Sequence, residues 1–458
     1  MRFSTTILML CVLAIGATVG GAAELDYMKL FTDEEKKEAH VVADSIPAPH
    51  DFVDGQWQGI IAASDGQTYF SVSSHSPRHN AQFYRYDPEN DEVEHLIDVG
   101  VWCGYEDSPG KYNAQGKIHS NIYEHEGKLY CTSTSAHATL EHPYPGGHFL
   151  AYDLKTGEFH NLGKVDYDGK GGLLSAVFDP KLERMYAIHQ HKTTLVYLDL
   201  KTKDIVEVGQ IEDGGRQCRW PIVDERGILY GSTRDGMIYR YNPHTRARSC
   251  LLTRIPHDPE APQPEPGDGR PWSKTHWTPM IWDAETEWWY GVRGNDEYLF
   301  RFRPPADPRS HLGKTEGIIQ IGYRPSKTQP RYASLGLTLK DRTLYYCSYP
   351  IWRSQAHLVS YNIDTGRAVD HGPIIVEGDR RVSEIHSMVV GSDGLLHAVA
   401  MVWSVEGEDP SNPWANRAQC YFHARFLKIN PENDFHNQDG ARRWERRAGT
   451  SVRDGEGR

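Results

Sequence analysis

After its first 23 residues the 458-residue chain has no apolar run long enough to cross a bilayer, so no further membrane-spanning helix is expected. Positive charge is scarce as well. Lys and Arg number 50 against 62 Asp and Glu, a formal net charge of −12, which argues against a general nucleic-acid surface. It leaves room for an acidic ligand, because a local cationic pocket can exist inside an acidic protein. Cysteines are few, 7 in all, and Cys11 falls in the N-terminal apolar run. Cys131 and Cys347 sit at matching places in two strand-like segments and are expected as packed thiols. Cys218 and Cys250 could pair or bind a metal, and their spacing decides neither.

Glycine and aromatic residues are plentiful: 42 Gly, 25 Tyr and 12 Trp. With few long apolar runs, that composition points to many short strands joined by tight turns. The N-terminus, MRFSTTILMLCVLAIGATVGGAA, has one Arg, an apolar run from about Thr5 to Val19, and small residues ending at Ala22-Ala23. It has the shape of a secretory signal over residues 1–23, so a secreted or periplasmic location is expected. The run is short for a transmembrane anchor.

The chain repeats itself. One element is a strand with an aromatic pattern that ends in an Asp or Asn turn: FYRYDPEND (83–91), LAYDLKTG (150–157), VYLDLKTKD (196–204), IYRYNPHT (238–245), LFRFRPPAD (299–307), VSYNIDTG (359–366) and FLKINPEND (426–434). Before each stands a second element, strand–turn–strand, as in HEGKLYCTSTSAH (125–137) and ERGILYGSTRDG (225–236). Asp or Asn followed by Pro, Thr or Gly is turn chemistry. Together the two elements make about four strands per unit, and seven such units predict an all-β, seven-bladed β-propeller over residues 58–431. The blades are expected at about 58–100, 117–165, 171–211, 217–256, 273–318, 332–376 and 384–431. Residues 24–57 form a lead-in, and the charged tail 432–458 is expected to be disordered. Two β-sandwich domains are the alternative, but sandwiches do not repeat one strand–turn signature seven times.

Residues 117–157 carry five histidines, His119, His125, His137, His142 and His148, where strands usually place Val, Ile and Thr. In a propeller the segment leading into each blade's first strand and the loop after its second strand open on one face. The repeat then places His75, His119, His137, His189, His191, Arg216, Arg219, Arg234, His276, Arg293, Tyr349 and His386 at one mouth. Ile-His-Ser occurs twice, at 118–120 and 385–387. His125 and Glu126 fall in a turn at the opposite end, as solvent decoration. His142 and His148 flank YPGG as a rim.

This set suits proton transfer beside an anion. His exchanges protons near neutral pH, and Arg clamps a carboxylate or sulfate through paired hydrogen bonds. Few Asp or Glu occupy the expected mouth positions, although Glu384 and Asp296 stand near, and a glycoside hydrolase normally needs two facing carboxyls. Elimination on a uronic acid fits better. A cation neutralises the carboxylate, a His or Tyr removes the C5 proton, and another group protonates the leaving oxygen.

The signal segment, the seven units, and GKIHSNIYEHEGKLY, HPYPGGHFLAYDLKTGEF and DERGILYGSTRDGMIYRY resemble the secreted β-propeller polysaccharide lyases, especially ulvan lyases. The chain is more distantly similar to oligogalacturonate lyase. The resemblance implies His119 and His137 as the catalytic histidines, with His119 in proton transfer, and Arg234 or Arg219 as the neutraliser. The chain departs from the family where a Tyr is expected, since GKGGLLSAVF has none; His191, Tyr349 or Tyr144 are the replacements. Substrate contacts are expected from His75, His191, His276, Arg293, Tyr349, His386 and Tyr144. The implied partner is an acidic, uronate-containing and possibly sulfated polysaccharide, with no nucleic acid and no membrane. No cofactor is required for elimination. A divalent metal, zinc or calcium, is the open alternative, held by His75, His119, His386 and His397, or by Cys218 or Cys250 with a His. A non-catalytic propeller that binds a glycan or a protein is the competing reading.

Overall fold

The computed structural model describes residues 30–105, 112–135, 143–167, 169, 171–190, 192–211, 220–233, 236–256, 276–293, 298–320, 336–348, 355–404 and 421–445. Five antiparallel four-stranded sheets follow one another along the chain. Sheet 1 holds Ile60–Ala62, Thr68–Val72, Gln82–Asp87 and Glu92–Asp98. Sheet 2 holds Tyr123–His125, Lys128–Thr132, Gly147–Asp153 and Phe159–Val165. Sheet 3 holds Leu173–Asp179, Arg184–His189, Thr194–Asp199 and Ile205–Gln210. Sheet 4 holds Ile222–Val223, Leu229–Ser232, Met237–Asn242 and Ala247–Arg254. Sheet 5 holds Trp277–Asp283, Trp288–Arg293, Tyr298–Arg303 and Lys314–Gln320.

The expectation of seven separate blades is corrected here. Five stand alone; the remaining strands form one 11-stranded sheet. Its main path runs from Thr338–Lys340 through Thr343–Ser348, His357–Asn362, Arg367–Val376, Arg380–Val390, Leu396–Ser404 and Tyr421–Ile429 to Asp44–Pro47. The join has a local cause. Arg367–Val376 is ten residues long, and a turn at Glu377–Asp379 with Gly378 at φ 74° folds it straight back. Ile375 and Val376 then pair with Arg381 and Arg380, where separate blades would part.

The repeated Asp/Asn turns have a direct mechanism. The side-chain oxygen accepts backbone N–H groups two and three residues on: Asp153 from Lys155 and Thr156, Asp199 from Lys201 and Thr202, and Asn242 from His244 and Thr245. Each such turn closes a hairpin without leaving its N–H groups unpaired.

First strands of neighbouring sheets touch, including Arg380–Val390 with Ile60–Ala62, which brings the end of the chain back to its beginning. Apolar clusters fill the gaps between sheets. Ile60, Phe70, Tyr84 and Tyr86 of sheet 1 pack on Val399, Ala424 and Phe426 of the large sheet. Ile118, Leu129 and Leu150 of sheet 2 pack on Tyr69 and Phe83 of sheet 1. Cys131 and Cys347 are buried, unbridged thiols in these cores, and burial pushes both thiols up.

The first and last described segments join the sheets. Asp44–Pro47, in the expected lead-in, is the outermost strand beside Tyr421–Ile429. Past residue 432, Phe435–His436 pairs with His40–Val42, and Arg442–Glu445 pairs with Arg367–Asp370. Within the stretch 432–458 that was expected as a disordered tail, these two segments find backbone partners, the first on His40–Val42 and the second on Arg367–Val376. Among the described residues no helix is long and apolar enough to cross a membrane.

Candidate functional site

Antiparallel pairing brings the approach to each first strand beside the exit from the second. Gly55 bridges Ser73 and Lys117 bridges Thr134; Leu173 pairs with His189, and Trp277 with Arg293. The same end of sheets 1 and 2 is stitched together where Ser74 N–H donates to Gly116 O at 2.9 Å and Ala81 N–H to Gln115 O at 2.9 Å.

At this end the side chains converge on one indole. The Trp57 ring meets His75 edge-on at 4.3 Å between centroids and His386 at 5.5 Å. The Lys117 ammonium lies 3.9 Å over the same ring, a cation–π contact. Each histidine has a carboxylate. His75 Nδ1 lies 2.9 and 3.0 Å from the two Asp54 oxygens, and Asp54 also accepts the His75 backbone N–H at 3.2 Å. His386 Nε2 lies 2.9 Å from Glu384 Oε2. All six residues are buried. A carboxylate can only accept, so neutral His75 carries its hydrogen on Nδ1 and its lone pair on Nε2, while neutral His386 has the reverse tautomer.

The local sequence explains the aim of these side chains. Ile118 and Ile385 are buried in apolar cores. Their neighbours on both sides, Lys117 and His119, Glu384 and His386, therefore turn the other way. The two Ile-His-Ser copies are thus equivalent, with Lys117 in one standing where Glu384 stands in the other. Ser120 Oγ accepts Thr132 N–H at 2.9 Å. Ser387 Oγ lies 2.9 Å from Gln56 Oε1 and 3.0 Å from Gln58 O. That tie holds the turn carrying Trp57, in which Gln58 has φ 136°.

Of the residues expected at the mouth, His75 and His386 meet around Trp57. His119 is buried on the approach to sheet 2, two residues from Lys117. His276 and Arg293 lie together at the corresponding end of sheet 5, both buried, and Arg293 Nη1 is 3.5 Å from Pro256 O. His137, His191, Arg216, Arg219, Arg234, Asp296 and Tyr349 lie outside the described residues, as do His142 and Cys218.

Several expectations are corrected. Tyr144 is a core residue, 1% exposed, whose hydroxyl donates to Gln115 Oε1 at 2.6 Å. Burial pushes its phenol well up. His148 is a buried strand residue between Asn161, 3.0 Å from Nδ1, and Tyr105, 3.3 Å from Nε2; it forms no rim. His125 packs against Phe178 at 4.8 Å and is only half exposed. His397, a candidate metal ligand, has both ring nitrogens engaged, by Thr68 at 2.9 Å and Asp393 at 3.1 Å. Among the described residues no group of three or more His, Cys, Asp or Glu is placed to hold a metal ion. Glu384, expected near the mouth, and Asp54, which was not, each hold a mouth histidine.

Asp54, Trp57 and Lys117 escaped the sequence reading. Asp54 and Trp57 stand in DGQWQG, before the expected start of the first blade. That stretch is the counterpart of the QGKIHS approach to sheet 2, which is the signal that marks it.

No family model matches the chain, and no curated protein does. Solved structures do. The RRP9 WD40 repeats superpose with a TM-score of 0.50 at 10% identity, over 84% of this chain and 98% of that one. The periplasmic gluconolactonase PpgL of Pseudomonas aeruginosa superposes with a TM-score of 0.50 at 11% identity, over 82% of this chain and 99% of that one. The fold is a β-propeller. At such identities the likeness shows the fold alone, and it assigns no activity to the Trp57 cluster.

Proposed function

We propose that the protein is an exported polysaccharide lyase that cleaves a uronic-acid-containing polysaccharide by β-elimination at the mouth around Trp57. The reading is carried by one observation: two histidines, each oriented by its own carboxylate, stand against one indole with a lysine above it. The carboxylate fixes each imidazole's tautomer and stabilises its protonated form, which is what a reversible proton carrier needs. His75, with its lone pair on Nε2, is the base. It takes the C5 proton, the C–H electron pair becomes the C4–C5 double bond, and the C4–O bond breaks. A second group, His386 or His119, returns a proton to the departing oxygen. Lys117, with Arg219 or Arg234, supplies positive charge to the uronate carboxylate.

The test is a screen of purified protein against ulvan and unsulfated uronate polysaccharides, following the ultraviolet absorbance of the conjugated double bond. Rising absorbance with new unsaturated chain ends is expected. Saturable glycan or protein binding without new ends would replace the lyase by a recognition propeller.

A further inference from the structure

First strands of neighbouring sheets touch, so the fourth strand of each forms the outer rim. The hairpin that leads into it differs in charge between two sheets. In sheet 1, residues 87–98 hold six acidic side chains, Asp87, Glu89, Asp91, Glu92, Glu94 and Asp98, and no Lys or Arg. In sheet 4 the corresponding residues 242–254 hold Arg246, Arg248 and Arg254, and no Asp or Glu. The same hairpins of sheets 2 and 3, residues 153–165 and 199–210, mix the two signs.

The basic rim continues onto sheet 5. Leu252 N–H donates to His311 O at 2.8 Å. The Thr253 hydroxyl donates to Gly313 O at 2.9 Å and the Thr315 hydroxyl to Arg254 O at 3.0 Å. This segment adds Arg309 and Lys314, exposed like Arg246, Arg248 and Arg254. Arg248 is anchored on Gln210 O at 2.8 Å, and Arg309 pairs with Asp307 at 3.1 Å. Between the cations stand Leu252, 75% exposed, and Leu312, 65% exposed, the two most exposed large apolar side chains among the described residues. Leucines scattered singly on a surface are ordinary; these two are neighbours.

The acidic rim is the counterpart. Glu89, Asp91, Glu92 and Glu94 are exposed. Glu94 pairs with Arg85 and Asp91 with Lys428, so Glu89 and Glu92 carry the outward charge. Exposed Val101 follows the end of this strand. The two rims do not meet within one molecule, because sheets 2 and 3 are packed between them.

We propose that the basic rim of sheets 4 and 5 docks on the acidic rim of sheet 1 of a second copy of this chain. Glu89 and Glu92 of one copy pair with Arg246 and Lys314 of the next, and Leu252 and Leu312 are covered beside Val101. A sugar chain fits the basic rim less well, since it stacks on exposed aromatic faces and the aromatics of this hairpin, Tyr239 and Tyr241, are buried. The contact joins two different surfaces, so it repeats into a chain of copies or closes into a ring. Exposed ion pairs are individually weak and salt-screened, which makes the contact reversible and favours it at low ionic strength. It is independent of the reaction proposed above.

Sedimentation velocity over a range of protein concentrations, at about 0.02 and 0.5 M salt, tests the docking. The native protein is expected to sediment faster with rising concentration at low salt and as a monomer at high salt. Arg246→Glu with Lys314→Glu, and separately Glu89→Lys with Glu92→Lys, should each abolish the association, with circular dichroism unchanged. Mixing the two double variants, or placing all four substitutions in one chain, should restore it, because opposite charges again face each other. A native protein that stays monomeric at low salt overturns the docking, as do double variants that associate like the native protein or a mixture that stays monomeric. A native monomer retained on an immobilised sulfated glycan through Arg246 and Lys314 would also overturn it and give the rim to a polyanion.

Discussion

Trp57, His75 and His386 show how much a single position can depend on residues that sequence order does not connect. His75 was legible as a candidate because it ends a strand at the place where other units also carry His or Arg. Its carboxylate was not, because Asp54 is reached only after the chain pairs Gly55 with Ser73. Asp54→Asn keeps the size but replaces the acceptor that fixes the His75 tautomer. If the lyase reading holds, the elimination rate should fall about 100-fold or more with little loss of fold, the usual scale of acid–base assistance. Steady-state rates and circular dichroism on one preparation check this, and an active Asp54→Asn would remove His75 from the base role. Gln58 is a second single-residue case. Its φ of 136° is unfavourable for any side chain, and such strain costs about 1–3 kcal/mol. Gln58→Gly should raise the melting temperature, by about 1 kcal/mol of stability once glycine's backbone entropy is subtracted. An unchanged or lower melting temperature would show that the neighbouring contacts, not the side chain, set this backbone.

Single elements were read well where their signals are local. The Asp and Asn turns, alternating burial and short strand lengths all follow from neighbours a few residues apart. The seam between Arg367–Val376 and the strand His40–Val42 was not readable, since it is a parallel pairing of distant segments. Gly372 lies in that seam with φ 90°, and a Cβ there would stand 1.8 Å from Ala39 O. Backbone cannot yield as a side-chain end can. Gly372→Ala should destabilise the protein by about 2 kcal/mol or more, combining strain at positive φ with a steric clash. Thermal unfolding measures it; a neutral substitution would mean that the N-terminal strand adds little to stability.

On the scale of the whole molecule, acid should loosen the ring. His148, His371 and His397 are buried in three different places, and burial holds each below its ordinary value. A histidine with a lowered folded pKa contributes stability while neutral. That contribution is present above about pH 6.5 and is lost as pH falls, because the unfolded chain binds the proton more readily. The melting temperature should decline progressively from about pH 7 to 5, with proton uptake on unfolding. A flat profile would mean that other groups offset these three.

The sequence by itself determined a repeated four-stranded unit and its turns, because period-two alternation and Asx turns act over a few residues. Only the tertiary structure decided that the last strands merge into one sheet, that the lead-in supplies its outermost strand, and that Asp54, Trp57, Lys117, Glu384 and His386 share one place. Those outcomes depend on how sheets from opposite ends of the chain meet, and on a ten-residue strand pairing past the point where its neighbours stop. Local propensity carries no information about either.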